Sequence, residues 1–155
     1  MSGHLLVAIE YHFQRYDGHI YTDIAFPHEY WSEYLEVFDE VVVIARVRNI
    51  KELSKQLQLA DGDCISFVDL PDYYGSWQLA AVIPRLFALC FKAVKKSDYI
   101  LLQTGNIATC VWFCAKILRR NYAMQFLGNS FECITQSKQT KSPVFDWLFG
   151  KVHTG

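Results

Sequence analysis

Two short runs of consecutive apolar residues, rich in β-branched side chains, constrain the fold of this chain most strongly. They are residues 5–9 (LLVAI) and 41–45 (VVVIA). A strand with one face in water alternates apolar and polar residues, whereas a strand covered on both faces is a continuous apolar run. The two runs therefore predict neighbouring strands of a parallel sheet, which need a crossover connection between them.

The segment between these runs has the pattern of a crossover helix. Pro27 opens it, and aromatic and aliphatic residues follow at helical spacing through residue 38, with glutamates on the other side. Three more strands are predicted at 64–68, 99–103 and 122–127, with helices over about 77–95, containing Pro84, and 106–120. Asp61-Gly62 predicts a hairpin between residues 56–60 and 63–70. We therefore expect an α/β fold: a single Rossmann-like, doubly wound and mainly parallel sheet of about five to seven strands, with helices on both faces.

The chain length of 155 residues allows one ordinary domain. We predict a Rossmann-like domain over residues 1–135 and a C-terminal tail over 136–155 that is first polar and then sharply apolar. The apolar run 144–149 (VFDWLF) has to pack on the domain, on another chain or on lipid. We expect the tail to be a contact or interdomain segment, and a surface for a homo-oligomer.

The charge and the cysteine content of the sequence indicate which partners and which compartment to expect. The formal net charge of −1 gives no global basic field, which argues against a nucleic-acid partner. Five cysteines, an odd number without a CxxC spacing, favour a reducing compartment. The first residues lack the basic segment of a signal peptide, and Pro84, Arg85 and Lys92 interrupt the longest apolar stretch. We expect a cytoplasmic protein.

Ligands of open α/β sheets bind beyond the carboxyl ends of the strands, which here means the predicted loops 10–22, 46–49, 69–76, 103–106 and 128–132. The first loop lacks a GxGxxG motif but is rich in polar residues. His12 and His19 are candidate acid–base groups or ordinary loop histidines. Arg15 and Asp17 suit hydroxyls or phosphate, or pair with each other, and Asp17-Gly18 is a turn signal.

Two further features suit an anionic ligand. Arg46 and Arg48 follow the second strand, where they either bind an anion or pair with glutamates. Gly105-Asn106 begins a helix, so its backbone N–H groups are a natural anion or hydroxyl site unless Asn106 is only the N-cap. The sequence contains no Ser-His-Asp, Cys-His, HExxH or Walker A arrangement, which argues against serine-type hydrolysis, zinc proteolysis and P-loop NTP hydrolysis.

Several short motifs follow one another in a family-like order. They are RYDG at 15–18 with Tyr21-Thr22, YWxxYLxVFDxV at 30–41, ARV at 45–47, LPxYYG at 70–75 and MQFLGN at 124–129. Together they resemble the N-terminal domain of bacterial group-1 (family 4) glycosyltransferases, over about residues 5–130.

The resemblance implies one half of an enzyme with two Rossmann-like domains (the type B fold). Such enzymes transfer a sugar from a nucleotide-sugar to an acceptor with retention of configuration, generally without a metal, and make surface polysaccharides or related glycans. Their N-terminal domain mainly holds the acceptor, while the C-terminal domain holds the donor against an ExxxxxxxE glutamate pair that this sequence lacks. The chain would then be inactive without a donor-binding domain or a partner chain. The nucleotide-sugar would be a substrate, no cofactor is implied, and the general base stays unassigned.

The resemblance also implies a binding site for a glycan or lipid-linked acceptor, formed by His12, Arg15, Asp17, Gly18, Tyr21, Thr22, Asn106 and Asn129. Apolar residues 86–91, bordered by Lys92, Lys95 and Lys96, either suit a peripheral contact with the inner face of a membrane or simply cover the sheet. Three departures from the family favour the alternative of a non-catalytic α/β binding or interaction module. The first loop lacks a glycine pair, Gln103-Thr104 replaces a charged residue, and Gly128-Asn129 replaces Gly-Asp.

Overall fold

Strands and helices alternate along residues 3–125, the part of the chain that the computed structural model describes. The strands are His4–Tyr16 (β1), His19–Thr22 (β2), Glu40–Asn49 (β3), Gln58–Leu59 (β4), Ile65–Leu70 (β5), Tyr99–Gln103 (β6) and Ala123–Gln125 (β7). The helices are His28–Ser32 (α1), Gly75–Lys96 (α2) and Asn106–Ile117 (α3), and a 3₁₀ turn, Glu33–Glu36, follows α1. The α/β class is confirmed.

Within residues 3–125, five parallel strands form the body of the sheet, in the order β5-β3-β1-β6-β7. The chain moves outward from β1 to β3 and β5 and then returns to the other side of β1 for β6 and β7. The carboxyl edge between β1 and β6 is therefore a topological switch point, the place where open α/β sheets bind ligands. Two short antiparallel strands, β2 and β4, extend the sheet beside the distal half of β1.

Helices cover both faces of the sheet, because the strand side chains alternate between two buried clusters. Leu6, Ile44 and Leu102 pack under α2 and α3. On the other face, Val7 and Val43 pack with Trp31 of α1, whose indole N–H donates a hydrogen bond of 3.0 Å to the Phe26 carbonyl. The continuous apolar runs of β1 and β3 thus have the two-sided burial that predicted a parallel sheet.

The predicted loop over residues 10–22 is wrong, because β1 continues through it to Tyr16 and turns back into β2. Asp17 and Gly18 have φ angles of 47° and 80°, as the two central residues of a type I′ hairpin turn require. The predicted loop 46–49 is also strand, since β3 pairs His12 with Arg46 and Arg15 with Asn49. The two polar segments pair with each other beyond the apolar body of the sheet.

Other predicted elements agree only in part with the observed helices and strands. The predicted hairpin at Asp61-Gly62 is wrong, because β4 pairs with β2 and the chain then turns directly into β5. The predicted crossover helix is shorter, one turn of α-helix followed by the 3₁₀ turn. The long helix with Pro84 inside it and the strand at 99–103 are confirmed. The tail 136–155, and the end of the domain predicted at residue 135, lie outside the described residues.

Candidate functional site

In the described residues, three side-chain interactions join the distal half of β1 to the end of β5 and the segment that follows it. Glu10 meets Tyr73, His12 meets Asp72 and Arg15 meets Asp69. A parallel sheet places the carboxyl ends of β1 and β5 at one edge, which is why segments more than 50 residues apart in sequence meet here. This edge of the sheet is the candidate site.

Glu10 is at the centre of the site, where an irregularity interrupts the pairing of β1 with β3. Ala8 pairs with Ile44 and His12 with Arg46, so β1 has three intervening residues opposite one in β3. Such a bulge redirects side chains. The Glu10 carboxylate accepts hydrogen bonds from the Tyr73 hydroxyl at 2.8 Å and from the Ile107 backbone N–H at 3.0 Å, and it lies 2.9 Å from an Arg46 guanidinium nitrogen.

The side chains of Glu10 and Arg46 are 21% and 11% exposed, so they form a largely buried ion pair. The Arg46 guanidinium also lies 4.5 Å from the centre of the Tyr73 ring and donates to the Tyr73 carbonyl at 3.0 Å. Burial, then the neighbouring Glu10 carboxylate, raises the pKa of Tyr73 to about 12. The Tyr73 hydroxyl therefore stays protonated as a donor at neutral pH.

The predicted anion site at the start of α3 is occupied by the protein's own carboxylate. Ile107 N–H, one of the unpaired donors of the helix N-terminus, donates to Glu10. Gly105, rather than Asn106, is the N-cap residue, and a Cβ there would lie 2.3 Å from Cβ of Glu10. Arg46 pairs with Glu10, which agrees with the predicted alternative that it pairs with a glutamate. This carboxylate therefore competes with any ligand phosphate for the Ile107 N–H.

His12 and Asp72 form a histidine–carboxylate pair. Nδ1 of His12 lies 2.9 Å from Oδ1 of Asp72, and the imidazole stacks on Tyr74 with ring centres 5.1 Å apart. The histidine side chain is 41% exposed while the aspartate is 17% exposed. Contact with the carboxylate through Nδ1 orients the ring, and a histidine held by a carboxylate in this way is typical of general acid–base pairs.

Arg15 pairs with Asp69, so the predicted alternative of an Arg15–Asp17 pair is wrong. Nε and one terminal nitrogen of Arg15 each donate to Asp69 at 2.8 Å, and the other terminal nitrogen donates to the Gly18 carbonyl at 3.2 Å. Arg15 reaches Asp69 because both lie near the carboxyl ends of their strands. This two-pronged hydrogen bond raises the pKa of Arg15 and fixes both side chains.

The remaining predicted residues divide between this edge and other places. Asp17 and Gly18 form the exposed tip of the β1–β2 hairpin, and Tyr21 is half-buried on β2 opposite Gln14. Thr22 is 1% exposed, and its hydroxyl donates to the Ala25 carbonyl. Asn106 lies exposed at the start of α3, where it lines a cavity together with Tyr73. His19 lies at the hairpin with Nδ1 3.4 Å from Asp61, and Asn129 is outside the described residues.

Four residues of the site were not predicted individually: Glu10, Asp69, Asp72 and Tyr73. Both segments that carry them were among the five predicted loops, but the pairing between them was not. A usable signal is present: Asp69 lies near the end of β5 and Asp72 follows it, at the edge where Arg15 and His12 follow the apolar part of β1. Opposite charges at one sheet edge favour pairing.

Gln103, at the end of β6, has a different environment from the paired residues. It is 2% exposed, and its amide N–H₂ donates to the Tyr30 hydroxyl at 3.2 Å and to the Gln125 side-chain oxygen at 3.0 Å. The Tyr34 hydroxyl donates to the same Gln125 oxygen at 3.2 Å. The Gln103 side chain therefore links β6 to β7 and to α1.

The fold and site together define an α/β domain whose carboxyl sheet edge carries paired polar side chains around a histidine–aspartate pair. The sequence is similar to protein CapJ of Staphylococcus aureus, with 26% identity over 132 residues, which cover 83% of this chain and 32% of that protein. The chain thus spans about a third of the relative's length. No family model matches the sequence. No solved structure matches it either.

Proposed function

We propose that this chain is the acceptor-binding part of a retaining, metal-independent glycosyltransferase, with a Rossmann-like, doubly wound sheet. The strand order and the helices on both faces support the Rossmann-like interpretation. The distant similarity to protein CapJ supports, more generally, a role in polysaccharide biosynthesis. The motif resemblance over residues 5–130 supports the more specific reaction.

The observation that carries the proposal is the position of the Glu10 carboxylate at the switch point. It accepts the Ile107 N–H that a ligand phosphate would otherwise use. A domain that held the nucleotide-sugar here would have to displace this carboxylate from the Ile107 N–H and from Arg46 before its phosphates could use them. A sugar acceptor brings hydroxyl groups, which both donate to carboxylates and accept from N–H groups.

The geometry of the site supports one role for each group. In this proposal His12, in contact with Asp72, exchanges a proton with an acceptor hydroxyl, and the Arg15–Asp69 pair and Asn106 bind further hydroxyls. The acceptor is a glycan or a lipid-linked glycan. The nucleotide-sugar is held by a second domain or by a separate partner chain. The reaction takes place in the cytoplasm without a metal ion or a resident cofactor.

Ligand-observed NMR on the chain tests which half-reaction it serves. Saturation transfer is measured with neutral oligosaccharides and, separately, with nucleotide-sugars. We expect transfer to the oligosaccharides, with an affinity at least tenfold lower in His12→Ala. His4→Ala is the matched control, because His4 begins the same strand at the opposite edge of the sheet. Saturation transfer to nucleotide-sugars but not to glycans contradicts the proposal.

A non-catalytic binding module is the second candidate function, and the internal pairing of Arg15 with Asp69 and of Glu10 with Arg46 favours it. Turnover in the complete system separates the two. With Arg15→Lys, a transferase loses sugar transfer while its assembly persists. A binding module shows no turnover that this variant changes.

A further inference from the structure

The charges of this chain are strongly segregated. Residues 73–122, which contain α2, β6 and α3, carry seven of the chain's 15 basic residues but one of its 16 acidic residues, Asp98. Neither α2 nor α3 contains an acidic residue. The dipoles of the two helices account for basic residues at their C-terminal ends, but not for Arg85 or for the absence of acidic residues from the exposed positions of α2 and α3.

The same helical layer exposes large apolar side chains. Trp77 is 91% exposed, Phe113 53%, Ile83 51% and Trp112 38%. Between α2 and α3, a cavity of about 320 Å³ is lined almost wholly by apolar groups, among them Leu79, Phe87 and Phe113. Trp77 is nearly fully exposed on the helix that lines one side of this cavity, and exposed apolar surface of this extent is typical of an interaction site.

Helix α2 packs along one face of the sheet. It is the one helix in the described residues with the length and hydropathy of a membrane span, with a mean hydropathy of 1.4 over its most apolar window. Its C-terminal half packs Leu86, Cys90 and Val94 into the core, while most of its N-terminal half is exposed. Helix α2 thus has one side packed in a protein core and another side that is apolar and basic. This pattern is typical of a helix that lies in the plane of a membrane interface.

We propose that the α2–α3 face, defined by Trp77, Ile83, Arg85, Lys92 and Phe113, docks on an anionic lipid surface. The tryptophan and phenylalanine insert among the acyl chains, and the lysines and arginines meet the anionic headgroups. The acidic α1 face, with Glu29, Glu33 and Glu36, points away from the same surface. This docking does not require glycosyl transfer, so its test is independent of the test of the proposed function.

Vesicle co-sedimentation of the full 155-residue chain tests the docking. We compare vesicles of phosphatidylcholine alone with vesicles containing about 30% phosphatidylglycerol, at low and high salt. We expect binding only to the anionic vesicles, weakened at least tenfold by high salt, because each basic side chain contributes through a screened surface potential. Equal binding to both vesicle types, or to neither, overturns the proposal.

Matched variants separate this face from the rest of the surface. Lys92→Glu/Lys95→Glu is expected to weaken partition at least tenfold, whereas Lys51→Glu/Lys55→Glu, the same charge change at exposed residues between β3 and β4, leaves it within twofold. Trp77→Ser is expected to weaken partition at least fivefold, and Ile24→Ser, at a position 88% exposed on another face, to leave it unchanged. Equal effects of target and control variants overturn the proposal. So does a stable dimer in which Trp77 is protected from acrylamide quenching, because a second copy would then cover this face.

Discussion

The backbone N–H of Ile107 donates a 3.0 Å hydrogen bond to Oε2 of Glu10, a residue 97 positions earlier in the chain. The other carboxylate oxygen contacts Arg46 and Tyr73. One side chain therefore caps α3, neutralises a largely buried guanidinium and fixes the segment after β5. A glutamate at a β-bulge can do this because the irregular register turns it away from the strand's regular alternation.

Glu10→Gln tests the energetic weight of this arrangement. The amide keeps an acceptor for Ile107 but removes the negative charge opposite Arg46, leaving a largely buried cation without its partner. We expect a loss of about 2 kcal/mol in the free energy of unfolding, less than for a fully buried pair because both side chains are partly exposed. Urea denaturation measures it. Glu52→Gln, the same change at an exposed glutamate, is the control. Equal values for both would mean that the ion pair contributes nothing.

A comparison of Gly105 with Gly18 separates the cost of a steric contact from the cost of an unfavourable backbone conformation. The φ of Gly105, +129°, is in a region that other residues avoid, and an added Cβ would lie 2.3 Å from Cβ of Glu10. Gly18 has a φ of +80° and no atom within 4 Å of an added Cβ. We expect Gly105→Ala to cost about 3 kcal/mol or more and Gly18→Ala about 1 kcal/mol. Thermal unfolding gives both values. Equal costs would show that α3 moves away from Glu10 without penalty.

Trp31 and Trp77 are the same residue type at opposite extremes of burial, 0% and 91% exposed. Trp31→Ala removes the centre of the aromatic packing on the α1 face, and we expect it to cost about 3–5 kcal/mol in urea unfolding. Trp77→Ala is expected to stay within about 0.5 kcal/mol, because an exposed side chain buries no area on folding. A cost above about 1 kcal/mol for Trp77→Ala would place that residue in the folded core and remove its availability to lipid.

The parallel sheet was predictable because two-sided burial leaves a direct mark in the sequence. Residues 41–45 and 99–103 are strands with the predicted apolar character, and α2 follows its pattern through Pro84. The sheet edge was not predictable in the same way. Beyond Ile9, β1 consists largely of polar and aromatic residues, and its conformation is fixed by pairing with β2 and β3 rather than by its own periodicity.

The candidate site could be located but not assembled from the sequence. His12 and Arg15 were predicted from residue type and from their position after a strand. Their partners Asp72 and Asp69 depend on the three-dimensional order of the strands. Glu10 was missed as a functional residue because its position depends on a bulge, which no composition signal marks. Thr22 shows the opposite case, since the family resemblance implied a binding residue and the structure buries its hydroxyl in a hydrogen bond to the Ala25 carbonyl.

The hydrogen bond between Tyr11 and Asp23 predicts a specific acid response of stability. The Tyr11 hydroxyl donates to Oδ1 of Asp23, and this bond lowers the pKa of the Asp23 carboxyl below its ordinary value of 3.8. A lowered folded-state pKa adds stability that is present above pH 3.8 and lost as the pH falls through the folded-state value. We expect Tyr11→Phe to reduce the free energy of unfolding at pH 7 by about 1 kcal/mol or less, since Asp23 is exposed.

That difference between wild type and Tyr11→Phe should shrink as the pH is lowered from 5 to about 2, leaving only the contribution of the 3.3 Å bond that the Ala25 N–H donates to the same hydroxyl. Urea unfolding at several pH values measures it. Tyr30→Phe is the control, because the Tyr30 hydroxyl contacts Tyr34 and Gln103, neither of which is a carboxylate. Its cost should stay constant over the same range. A Tyr11→Phe difference that is as large at pH 2 as at pH 7 would mean that the carboxylate charge of Asp23 contributes nothing to this contact.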